Sequence, residues 1–275
     1  MADISLADIK ALRERLGTGM VDTKNALVEA GGDIEKAVEI LRLKGAKGNA
    51  KRADRSTSEG LIAVVESATA ATLIELACET DFVAKNEKFI ALADTVLQAL
   101  ADSGAETVDA ALAAPAAGGT VQSLIEDEAA IIGEKIELRR IARIPGEQFA
   151  IYLHQTSKDL PPQIGVVVAY TGEDPDTARS IAQHISFADP QYLAKDDVPP
   201  AEVENERRIV EEISRGEGKP EAALPKIVEG RLGAYFKQVA LLEQEYARDN
   251  KLQVGKVLAD AGLTVTGFAR FKVGA

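Results

Sequence analysis

The chain is short of the residues that most catalytic and metal sites need. It has one cysteine, two histidines and no tryptophan in 275 residues. A single thiol, Cys78, excludes an intramolecular disulfide and a cysteine-based zinc site. His154 and His184 stand on separate expected elements with no cysteine between them to complete a dyad, and ordinary packing is the simpler reading of both. Aromatics amount to 4%, so any one of them outside an apolar run calls for an explanation. Positive charge is also scarce: 32 Lys and Arg against 44 Asp and Glu give a formal charge of −12. Nucleic-acid binders draw their affinity from cations that neutralise phosphates, so direct nucleic-acid contact is not expected. No apolar run approaches the roughly 20 residues of a membrane span, and Met1-Ala2-Asp3-Ile4 lacks the basic and apolar pattern of a secretory signal. A reducing cytoplasm, away from membranes, is the expected setting.

Motifs for bond-making chemistry are missing too. There is no Gly-x-Ser-x-Gly, His-Glu-x-x-His, Cys-x-x-Cys or Gly-x-Gly-x-x-Gly. Gly216-Glu217-Gly218-Lys219 suggests a phosphate loop, but Pro220 stands where Ser or Thr is needed, and the flanks read as helices rather than strand and helix. It is read as a turn. No cofactor, no metal and no catalytic residue are expected.

What is present is a regular alternation of periodic segments. Ser5 with Asp8 resembles a capping box before Leu6, Ile9 and Leu12. Ala26 and Leu27 mark a second helix, and Asp33 is placed to cap a third that carries Ile34, Ala37, Val38 and Leu41 and should end at Gly45. Lys44 to Arg55 is basic and aperiodic, and reads as a tether or frayed helix. Leu61–Val65 and Thr72–Leu76 read as a hairpin, followed by a helix bearing Phe89, Leu92, Val96 and Leu100. Ser103 to Gly119 reads as a loop, and Thr120 as the cap of another helix. Strands are expected at 136–144, 149–154 and 164–170, then a helix opened by Asp174-Pro175. Hairpin then helix, twice, suggests a duplication. Two long helices around Gly216–Pro220 predict an antiparallel helical hairpin, and a short helix and a strand over 264–271 close the chain. The class is α+β. The expected divisions are 1–55, a helical domain with its linker; 56–142, a first core half; 143–198 with 248–275, a second core half; and 199–247, the inserted hairpin.

Glu79-Thr80-Asp81-Phe82-Val83-Ala84-Lys85-Asn86 is the most informative segment. It sets a carboxylate, an aromatic and an aliphatic side chain side by side between a strand and a helix, where apolar residues normally thin out. Either Phe82 and Val83 form a recognition loop, or both tuck beneath the next helix with Asn86 as its cap.

This segment resembles the signature of the elongation factor Ts family. Other pieces agree in order: Leu12–Arg15 with Gly19-Met20-Val21-Asp22-Thr23-Lys24-Asn25-Ala26-Leu27, Gly31–Ala37, Gly133-Glu134-Lys135-Ile136-Glu137-Leu138-Arg139-Arg140, Gly218-Lys219-Pro220 with Lys226–Arg231, and Val265–Phe271. Val21 and Thr23 stand where many relatives carry Met and Cys. The resemblance implies an N-terminal UBA-like bundle, a duplicated α+β core and a coiled-coil hairpin. It also implies a non-enzymatic guanine nucleotide exchange factor that releases GDP from the GTPase elongation factor Tu. Three contacts are implied: Arg13, Gly19, Met20 and Val21 near the phosphate loop; Thr80, Asp81, Phe82 and Val83 entering beside the magnesium site; and His154 on a distal domain. The helical hairpin is left open between self-association into a homodimer, packing on the core and partner contact. Two other readings of the residues remain: a helical binding module joined to an unrelated scaffold, and an enzyme acting at the cleft between the core halves.

Overall fold

The computed structural model describes residues 5–16, 18 and 20–275. Helices α1 (Leu6–Leu16), α2 (Met20–Glu29) and α3 (Ile34–Arg52) come first. They are followed by strands β1 (Glu59–Glu66) and β2 (Ala70–Cys78). A helical stretch comes next: α4 (Asp81–Ala84), α5 (Glu87–Ser103), α6 (Val108–Ala113), the two-residue strands β3 (Pro115–Ala116) and β4 (Gly119–Thr120), and α7 (Val121–Ile132). Strand β5 (Ile136–Pro145) returns to β2, giving an antiparallel sheet of order β1-β2-β5.

The second half repeats this plan. Strands β6 (Phe149–His154) and β7 (Ile164–Thr171) form a hairpin, and helix α8 (Pro175–Ala188) follows. Then come the long helices α9 (Pro200–Gly216) and α10 (Leu224–Val239), the short strands β8 (Glu245–Tyr246) and β9 (Asp249–Gln253), and α11 (Val254–Asp260). Strand β10 (Thr264–Lys272) pairs with β7, giving the order β10-β7-β6. In both halves the third strand joins the second strand of the hairpin. The mixed helix and sheet content is α+β.

The two sheets pack face to face. Ile62, Ala71 and Leu73 of the first meet Val167 of the second, with Phe149, Ile151, Ala269 and Phe271 around them. The approach is close enough to require glycine at 165, where a Cβ would lie 2.3 Å from Ile62 Cγ2. Helices cover the outer faces. Helix α5 lays Phe89, Leu92, Ala93, Val96, Leu97 and Leu100 on the first sheet, a stripe at helical spacing. Each large side chain buried this way contributes about 1.5–3 kcal/mol relative to exposure. Helix α8 covers the second sheet through Ala178, Ile181, Ala182 and Ile185.

The end of α3 departs from the sequence expectation. Gly45 does not stop it: the helix runs on to Arg52, and the stretch expected to be a tether is largely packed helix. Small residues let α3 lie against α7, Asn49 Nδ2 donates to the Glu126 carbonyl at 2.8 Å, and Arg52 Nη2 to that of Ala129 at 3.3 Å. Tertiary contact overrides the low helix propensity of glycine. Residues 103–119 are likewise not all loop, since α6 is capped by Thr107. The limit expected at 142/143 falls inside β5, and that at 247/248 falls in the turn between β8 and β9. Leu241 and Tyr246, expected with the hairpin, are buried in the second core. The long helices run in opposite directions, Arg207 meeting Glu229 and Arg231 meeting Glu217, both at 2.6 Å, around a core of Val210, Val228 and Leu232.

Candidate partner-binding site

Strand β2 delivers the chain to Glu79 and Thr80 at the edge of the first sheet. Thr80 caps α4, its hydroxyl oxygen accepting from the Val83 N–H at 3.4 Å. The same hydroxyl donates to Glu134 Oε1 at 2.8 Å, and the Thr80 N–H donates to Glu134 Oε2 at 3.1 Å. Glu79 accepts from the Lys135 N–H at 2.6 Å and from Arg55 at 3.2 Å. Two segments 54 residues apart in sequence therefore grip one another, and the loop is fixed at its base.

That base decides which way the next side chains face. Val83 and Ala84 are buried in the core beside α5, whereas Phe82 is 74% exposed. The tucked alternative thus holds for Val83 and fails for Phe82. Lys85 Nζ sits 4.5 Å from the centre of the Phe82 ring and 3.2 Å from Asp81 Oδ2. Asn86 then caps α5 by accepting from the Lys88 N–H at 2.9 Å. The outcome is a rigid step that presents an aromatic, a carboxylate and a cation to solvent.

Cys78 lies directly beneath. It is fully buried, and its thiol donates to the Thr80 carbonyl at 3.3 Å. Burial, with the Glu134 carboxylate nearby, pushes its pKa up to about 12. A thiol so protonated is no nucleophile.

The remaining expected residues lie elsewhere in the fold. Arg13 is exposed on α1, and Met20 and Val21 are exposed in the first turn of α2, Val21 at 69%. Gly19 lies outside the described residues. His154 ends β6 on the second sheet; it is exposed, stacked on Tyr152 with ring centres 6.0 Å apart, and its Nδ1 lies 3.1 Å from the Tyr152 hydroxyl. The structure brings Thr80, Asp81, Phe82 and Val83 together and leaves the other groups on α1, α2 and β6. The second histidine, His184, is buried between α8 and the segment after α10. Its Nδ1 accepts from the Ala247 N–H at 3.2 Å and its Nε2 donates to Gln244 Oε1 at 2.9 Å. Sequence reasoning missed Glu134 and Lys85 as parts of the site. Both lie in segments already singled out, Lys85 in 79–86 and Glu134 in 133–140, but neither spacing nor composition shows that the second segment grips the first.

Among the described residues, no cluster of three or more His, Cys, Asp or Glu side chains is arranged to hold a metal. No described helix is long and apolar enough to cross a membrane. The class these features define is an α+β protein with two packed three-stranded sheets that displays an aromatic on a clamped loop. The family model described as Elongation factor TS matches residues 79–275. The chain is 75% identical to the elongation factor Ts of Leifsonia xyli subsp. xyli over the whole of both chains. It is 56% identical to that of Tropheryma whipplei and 49% identical to that of Kocuria rhizophila, again over the full length of each. The chain belongs to the elongation factor Ts family, a family of translation elongation factors.

Proposed function

We propose that this chain is a guanine nucleotide exchange factor that binds elongation factor Tu in the cytoplasm and promotes its release of GDP, without covalent chemistry. The observation that carries this reading is Phe82. A large aromatic held 74% exposed by a loop whose neighbours are buried and hydrogen-bonded is what a partner's pocket requires of an interface anchor. Family membership supplies the partner. Asp81 and Phe82 enter the nucleotide domain beside its magnesium site, with Thr80 and Val83 shaping the step. Arg13, Gly19, Met20 and Val21 meet the same domain near its phosphate loop, and His154 holds a distal domain. In this reading α1–α3 form a UBA-like domain, and α9 with α10 a coiled coil.

Exchange by contact follows from linkage. A partner that binds the nucleotide-free GTPase more tightly than the GDP-bound form must be weakened by GDP to the same degree. A partner indifferent to the two states shifts nothing, however tightly it binds. The test is gel filtration of this chain with nucleotide-free elongation factor Tu, repeated with GDP and magnesium. A complex that forms in the first case and dissolves in the second is expected. No complex, or one that GDP leaves intact, contradicts the reading.

A further inference from the structure

We propose that Glu75 is a positioning residue for exchange, a buried carboxylate that fixes one sheet against the other and so sets the separation between the Phe82 loop and the His154 strand end. This rests on the exchange reading above. Glu75 lies in the middle of β2, in the apolar run Thr72–Cys78, and is 0% exposed. Strand alternation places it with Ala71 and Leu73 on the face turned toward the second sheet. A carboxylate there must be paired to be tolerated.

The pairing is built by an irregularity in the neighbouring strand. The register between β2 and β5 passes from Glu75 opposite Arg140 to Leu76 opposite Leu138, leaving Arg139 as an extra residue. Consecutive side chains normally point to opposite faces of a strand. A bulge re-aims them, and here both arginines reach the same carboxylate. Arg140 Nε and Nη2 lie 2.6 and 2.5 Å from Glu75 Oε2, and Arg139 Nη1 lies 3.5 Å from Oε1.

Two further bonds of this group cross to the second sheet. The Gly274 N–H, just past β10, donates to Glu75 Oε1 at 3.1 Å. Arg140 Nη2 donates to the Lys272 carbonyl at 2.6 Å, and its guanidinium lies 4.6 Å from the centre of the Phe271 ring. On the near side, Arg139 donates to the Thr57 carbonyl. One carboxylate and two guanidiniums therefore bind the entry to β1, the middle of β2, the bulge of β5 and the end of β10. Strand β2 runs directly on to Glu79 and Thr80, the base of the Phe82 loop, while β10 belongs to the sheet whose far strand ends at His154. Apolar packing between the sheets is adaptable. Directional bonds to fixed backbone groups resist rotation of one sheet over the other.

The experiment compares three proteins in GDP release from elongation factor Tu, titrated to saturation: the natural chain, Glu75→Gln, and Glu75→Leu combined with Arg140→Met. The single change leaves a guanidinium short of its counter-charge, and its loss of activity could follow from poor folding. The double change removes Glu75 and Arg140 together and fills the space with apolar atoms, while Arg139 keeps Glu137 as its counter-charge at 2.9 Å; folded proteins often accept such a replacement without loss of stability. The expected result is a double variant that melts near the natural protein and half-saturates at a similar concentration, yet reaches a maximal release rate lower by about tenfold or more, because misplacing a positioned group costs rate more than binding. A folded double variant with the natural maximal rate overturns the inference, and a role in stability alone remains. A double variant that fails to melt cooperatively also overturns it, since the group is then part of the fold itself. If the natural chain does not speed GDP release, the exchange reading falls and takes this one with it. If only the variants match the natural chain, this inference falls alone.

Discussion

At the scale of the residue, Phe82 and His184 carry opposite duties. Phe82 is exposed and expendable to the free fold, so Phe82→Ala is expected to leave the melting curve nearly unchanged. In complex with the GTPase the same change is expected to cost about 2–4 kcal/mol, the range of an interface anchor. A buried phenylalanine such as Phe89 gives the contrast, where truncation costs about 3–5 kcal/mol of folding stability. The melting curves of Phe82→Ala and Phe89→Ala, run side by side, check this. His184 is the other case. Burial holds its imidazole below the ordinary histidine range, with the Gln244 hydrogen bond opposing that shift. A proton on Nδ1 would also displace the Ala247 N–H that now donates to it. The unfolded chain therefore takes up this proton first as pH falls. The contribution of His184 to stability is complete above about pH 6.5, the unfolded value, and declines below it toward the lower folded value. Between pH 7 and pH 5 the natural protein is expected to lose more melting temperature than His184→Gln. Parallel curves for the two would show that this histidine does not titrate with unfolding.

At the scale of the element, the contact between α3 and α7 is the part least visible in sequence. A Cβ at Gly45 would lie 2.5 Å from the Ala130 Cβ. Gly45→Ala sets two effects in opposition: about 1 kcal/mol gained in helix propensity and about 1–3 kcal/mol lost to overpacking. At this separation something must shift, so the change is expected to lower the melting temperature, and Ala130→Gly in the same chain to restore part of it. A raised melting temperature for Gly45→Ala would mean that α3 and α7 do not pack this closely. The legibility of the other elements follows the range of the forces that shape them. Capping is local, and Ser5 with Asp8, Asp33, Thr120 and Asp174 all cap where the sequence places them. The apolar stripe of α5 is equally local. Whether Lys44–Arg55 is helix depends on a surface supplied by α7, and periodicity carries no trace of that. Strand β5 reads as a strand from its own residues, but its partner is decided by β2, so the expected limit cuts through it. The site divides in the same way. Glu79–Asn86 stands out by composition, whereas the direction of Phe82 is decided by Glu134 and by Val83 filling the space beneath. Glu75 was hidden because a single carboxylate in an apolar run looks like noise until its two arginines and the end of β10 are seen around it.

At the scale of the whole molecule, the proposed function makes the α+β fold a spacer between surfaces. The three-helix segment bears Arg13, Met20 and Val21, the first sheet leads into Phe82, and the second sheet ends at His154. Packed sheets, the α3–α7 contact and the Glu75 group join these elements through apolar packing and directional bonds. A single patch could bind a GTPase. Several patches held at fixed separation can select one of its conformations, and in the proposed reading that selection lowers its hold on GDP. The most direct measurement is the release of fluorescent GDP from elongation factor Tu, with no added protein, with the natural chain and with Phe82→Ala. The natural chain is expected to accelerate release strongly, and Phe82→Ala, folded as judged by its melting curve, to lose most of that acceleration at matched concentration. A natural chain that leaves the release rate unchanged, or a Phe82→Ala protein as active as the natural one, contradicts the account.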